Sequence, residues 1–130
     1  MKRILIVAAF GALAACATTQ ISAEQAVSSF CAAVPDEIDG LETEGVITGG
    51  AADTMTQTVR PAISLLCANG AAITAPSIQS VSKVAIPALL GLVSASDLSD
   101  ADKKTDTAVL LGLQLTLNVA STYYGTPIAQ

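Results

Sequence analysis

Chemistry at neutral pH needs groups that titrate there or bind metals, and this chain of 130 residues offers few. It has no His and no Trp, three cysteines and 11 carboxylates. Without His the usual acid/base triads and ordinary zinc sites are disfavoured. No serine sits in a Gly-x-Ser-x-Gly turn, and none has a His to activate it. Asp36, Glu37, Asp39, Glu42 and Glu44 could be imagined as paired carboxylates for glycoside hydrolysis, which needs two carboxyls flanking a sugar cleft. Such clefts rely on aromatic platforms, and after residue 16 the only aromatics are Phe30, Tyr123 and Tyr124, so these acids read as a solvated face. Asp97, Asp100, Asp102 and Asp106 lack the Asp-x-Asp-x-Asp-Gly order and the twelfth-position Glu of a calcium loop. They read instead as acids complementing a helix start. The expectation is a protein with no catalytic site, no cofactor and no metal, whose chemistry is confined to Cys16, Cys31 and Cys67.

Cys16 is placed by what precedes it. Lys2 and Arg3 form a basic start, Ile4 to Ala12 an apolar run, and Leu13-Ala14-Ala15 brings small residues up to the thiol. That order is an export signal, and its apolar stretch of about ten residues is shorter than the roughly 20 a permanent span needs. Leu13-Ala14-Ala15-Cys16 resembles the lipobox of bacterial lipoproteins. The resemblance covers residues 1–16 and implies a diacylglyceryl group on Cys16, cleavage just before it, and membrane attachment through that lipid. Ala17, where Asp would favour inner-membrane retention in that family, implies an outer-membrane address facing the periplasm. An ordinary secretory peptide cut after Ala12-Leu13-Ala14 is the alternative, and would leave Cys16 an incidental thiol.

Processing would leave a tether, 16–21, and a single domain, 22–130, of ordinary size for one core. Loss of Lys2 and Arg3 moves the formal charge from −5 to −7. A domain this acidic repels phosphate backbones, so nucleic acid is not an expected partner. Export also puts Cys31 and Cys67 in an oxidising compartment, where a disulfide persists. Two buried free thiols are the alternative.

The elements that must position those thiols are helical. Ser22-Ala23-Glu24-Gln25 fits a capping box. Val27, Phe30, Cys31, Val34, Ile38 and Leu41 then follow on one helical face, predicting a first helix from about Ser22 to Glu44. Pro35 should kink or divide it, leaving Asp36, Glu37 and Asp39 near a restarted N-terminus. Thr48-Gly49-Gly50 breaks the chain. Ala52, Met55, Val59, Ile63, Leu66 and Cys67 form a second face, bent at Pro61 and closed by Asn69-Gly70. Cys31 and Cys67 are 36 apart and equidistant from Gly49, so an antiparallel hairpin puts the thiols level. A third helix starts at Pro76 or Ser77 and runs to about Ser94, interrupted at Pro87. A fourth starts at Ser99 and runs towards Tyr124.

Within the fourth, Val109, Leu111, Leu113, Leu115, Leu117 and Val119 alternate with more polar residues, which is a strand signal. No second strand is available to pair with it, so helix is the stronger reading and α+β the alternative. Val84 to Val93 and Thr107 to Tyr124 are apolar enough to raise a membrane reading. Gln114, Asn118 and the lack of a basic flank after Tyr124 favour a core or partner-binding helix.

The expected fold is all-α, a small helical bundle built on a disulfide-stapled hairpin. The expected function is that of a small lipid-anchored cell-envelope protein with a structural or interaction role, whose partners are the membrane and another envelope protein. Phe30-Cys31, Pro35, Pro61 and Leu66-Cys67 also resemble, more loosely, small paired-cysteine helical proteins of phage and prophage gene sets, which implies a role in lysis or host-envelope modification. A small apolar-ligand carrier is the third reading, and would require a well-formed apolar cavity.

Overall fold

The computed structural model describes residues 22–68 and 73–125, with side chains to residue 122. Helix α1 is Ala23–Thr43. Helix α2 joins the segments Gly50–Thr54, Met55–Val59 and Arg60–Cys67, α3 is Ala75–Ala95, and α4 is Asp100–Gly125. Among the described residues there is no strand, and the protein is an all-α four-helix bundle.

Three of the four helix starts are set by a local side-chain hydrogen bond. The Gln25 N–H donates to Ser22 Oγ at 3.2 Å and the Ser22 N–H to Gln25 Oε1 at 3.1 Å, closing the expected capping box. Thr74 and Ser77 repeat it at α3, with Pro76 in the first turn, where its missing N–H costs nothing. At α4 the Asp102 N–H donates to Ser99 Oγ at 3.2 Å, so the acidic run there is a helix start. Gly45 and Gly49 carry φ of 76° and 53°, left-handed values suited to glycine, and let the chain turn between α1 and α2. The proposed Asn69-Gly70 cap lies outside the described residues.

The prolines do not divide the helices. Pro35 lies inside an unbroken α1, on its exposed side, so α1 does not restart there. Asp39 and Glu42 therefore occupy its C-terminal turns, the unfavourable end for acids, with no basic residue of α1 to offset them. Pro61 and Pro87 do not interrupt their helices either. Each is preceded by one wide turn, Met55–Val59 and Val81–Ala85, in which the Arg60 N–H donates to the Met55 carbonyl and the Ile86 N–H to the Val81 carbonyl, five residues back. Widening the turn moves backbone out of the path of the proline ring, which would otherwise strike the carbonyl four residues before it.

The helices run alternately up and down. Glu42 meets Arg60 while Cys31 meets Cys67, so α1 and α2 are antiparallel; Lys103 meets Ser94 while Gln114 meets Ser82, so α3 and α4 are too. The α1–α2 and α3–α4 loops line one cleft, and thus share one end of the bundle. The start of α1 and the end of α4 lie at the other. Between them Phe30, Leu41, Met55, Ile78, Ile86, Leu89, Leu110 and Leu117 are fully buried. A side chain of this kind contributes roughly 1.5–3 kcal/mol when removed from water.

The stretch 109–119 is helix, and α4 buries Leu110, Leu113, Leu117 and Ala120 at helical spacing. Helix α3 is long and apolar enough by composition to cross a membrane. Its Ile78, Val81, Ala85, Ile86, Leu89 and Val93 are spent on the core instead.

Candidate functional site

Cys31 and Cys67 are joined, with their Cα atoms 5.5 Å apart, in the middle of the range for an unstrained bridge. Both are half-buried and packed against the core cluster, Cys31 one residue after Phe30 and Cys67 one residue after Leu66. The α1–α2 loop spans Glu44–Gly49, so Gly49 closes it rather than centring it. The level register survives because α1 stops early and the loop, with Val46 tucked into the core, covers the remaining height.

Between the disulfide and the loop, α1 and α2 flank an open cleft of about 310 Å³ lined by Val34, Pro35, Ile38, Arg60 and Ile63. The exposed Arg60–Glu42 ion pair spans its far side and supplies the positive charge that the end of α1 lacks. Being solvated, such a pair contributes at most about 1 kcal/mol. A second open cleft, about 410 Å³, lies between the two loops, among Glu44, Val46, Leu92, Asp97 and Leu98. Both clefts are open to solvent. Among the described residues, no three His, Cys, Asp or Glu side chains converge as metal ligands. Cys16 lies outside the described residues.

Two features escaped the sequence reading. The first is the pair of wide turns, which pack against each other at mid-height. The turn at Val81–Ala85 shifts hydrogen bonding by one residue, so the Ser82 carbonyl would look to residue 87, a proline without an N–H. Gln114 of α4 fills that vacancy, donating from Nε2 to the Ser82 carbonyl at 2.8 Å. The turn at Met55–Val59 leaves the Thr56 carbonyl in the same position relative to Pro61, but Thr56 is exposed and water can serve it. The shared signal is a hydroxyl residue five places before each proline, Thr56 before Pro61 and Ser82 before Pro87.

The second is a stripe of exposed apolar side chains on α4: Leu111, Leu115 and Val119, the middle one 65% exposed. They follow at every fourth residue and line one side of the helix.

Together these features define a disulfide-stapled four-helix bundle with an acidic loop end and an apolar stripe on its last helix. No family model matches the chain, and comparison with curated proteins and with solved structures likewise gives no match.

Proposed function

We propose that this is a lipid-anchored cell-envelope protein whose mature bundle has a structural or interaction role rather than a catalytic one. The observation that carries the reading is the run Lys2-Arg3, Ile4 to Ala12, Leu13-Ala14-Ala15-Cys16, which resembles a lipoprotein signal and ends six residues before Ser22. Cys16 accepts the lipid, residues 16–21 act as a tether, and Ala17 directs the protein to the outer membrane. The Cys31–Cys67 pair supports the reading, because disulfides persist in exported proteins. Two or more acyl chains hold a protein on a bilayer where one would be marginal, at about 0.8 kcal/mol per buried methylene.

Replacing the lipid acceptor is the direct test. Cells expressing the natural chain should hold the protein in the outer-membrane fraction, and Cys16→Ser should abolish lipid labelling while leaving the folded bundle recoverable. A Cys16→Ser variant that kept the same lipid label and membrane distribution would refute the proposal.

A further inference from the structure

The bundle is divided along its length, and we infer that its anchor-proximal half is a lipid-facing surface that rests on the bilayer through the Leu111–Leu115–Val119 stripe of α4; this builds on the lipid at Cys16. Of the 11 acidic residues, only Glu24 lies near the end of the bundle where α1 begins. The others start at mid-height with Asp36 on α1 and continue through Glu44, Asp53 and Asp97 to Asp106, which places most of them towards the end carrying both hairpin loops. After Asp106 the sequence has no charged residue at all.

Exposed large apolar side chains follow the opposite gradient. Leu65, Leu115 and Val119 belong to the half near the start of α1, and Val84 and Leu111 to mid-height. A single exposed leucine is ordinary. Three apolar residues at successive fourth positions, on a helix face that also carries Ala108 and Asn118 but no charge, form a continuous strip two turns long, about 12 Å.

Chain length identifies what covers this strip. A tether of residues 16–21 reaches at most about 20 Å fully extended, so a lipidated Cys16 holds the Ser22 end of the bundle within that distance of the headgroups. The half kept close is the one stripped of acid, and a bundle tilted onto its α4 face holds the acidic end off an anionic surface that would repel it. An apolar helix face brought there enters the boundary between headgroups and acyl chains, to a depth of about 5–10 Å.

The experiment uses the full acylated protein in vesicles of phosphatidylethanolamine and phosphatidylglycerol containing nitroxide-labelled lipids. With Cys16 acylated and Cys31 bonded to Cys67, a cysteine introduced by Leu115→Cys or, as distal control, Asp53→Cys offers the only free thiol for an environment-sensitive fluorophore. The probe at 115 should emit further to the blue and lose most of its emission to the nitroxide lipid, while the probe at 53 stays bright; melting curves of both proteins confirm folding. If the acylated protein floats with the vesicles but the two probes respond alike, the lipid-facing surface is wrong and the anchor stands. Cross-linking of the 115 positions between copies, without quenching, would instead assign the stripe to a second molecule and overturn the inference. Protein that carries no acyl group overturns this inference and the anchor together.

Discussion

Gln114 shows how much a single side chain can depend on a partner far away in sequence. Read along the chain, it is one polar member of an alternating run, an argument against a membrane span and nothing more. In the bundle it repairs a backbone defect on another helix, where the wide turn before Pro87 leaves the Ser82 carbonyl without an N–H and Ser82 itself is buried. Replacing it by Gln114→Leu keeps the bulk but strands that carbonyl, at a cost of about 1–3 kcal/mol. Pro87→Ala restores an N–H to α3, and in that background Gln114→Leu should cost measurably less. A double-mutant cycle by denaturant unfolding reads the difference, and purely additive effects would show that the Gln114 bond is incidental. The acidic residues carry a related lesson. Asp36, Glu37 and Asp39 suit a restarted helix, but α1 continues through Pro35, and compensation at its acidic end comes from Arg60 on α2. Local sequence names a charge; the fold decides which dipole it meets.

At the level of elements, boundaries written in local chemistry were legible and the internal geometry of helices was not. The Ser22–Gln25 capping box starts α1 at Ala23, and the glycines before Ala51 separate α1 from α2. Prolines mislead because rules of propensity treat a helix interior as intolerant of them, whereas α2 and α3 absorb Pro61 and Pro87 by widening the preceding turn. The strand signal in α4 has a physical source as well. Leu113 and Leu117 form a core stripe, Leu111, Leu115 and Val119 a surface stripe, and two stripes of period four offset by two residues read as period two. The signal would vanish had the surface stripe been polar, as a solvated helix face usually is. The hairpin is tied at two heights, covalently by the disulfide and more weakly by the exposed Arg60–Glu42 pair. In the chain-entropy model, a bond closing 36 residues contributes roughly 4 kcal/mol. Reduction, or the double change Cys31→Ser and Cys67→Ser, should therefore lower the melting temperature by roughly 10–20 °C. Calorimetry of the oxidised and double-variant proteins checks this, and coincident melting curves would show that the cross-link adds nothing.

For the whole molecule, the two ends of the bundle have different chemistry, and the lipid proposed on Cys16 gives that difference an orientation. The loop end gathers the acids and the other end is nearly uncharged; with the lipid proposed on Cys16, the six residues 16–21 would keep the second end near the membrane. Charge counted over the chain conveys only that the domain is acidic; up-down-up-down topology turns that count into a gradient. The account predicts a mature protein that begins at an acylated Cys16 and keeps Cys31 and Cys67 oxidised. Intact mass spectrometry of membrane-extracted protein under non-reducing conditions reads both properties at once. The expected mass is that of residues 16–130 plus acyl increments and minus the two thiol hydrogens of the disulfide. A mature chain that starts at Ala17 or later, or that carries Cys16 without a lipid, would contradict the account.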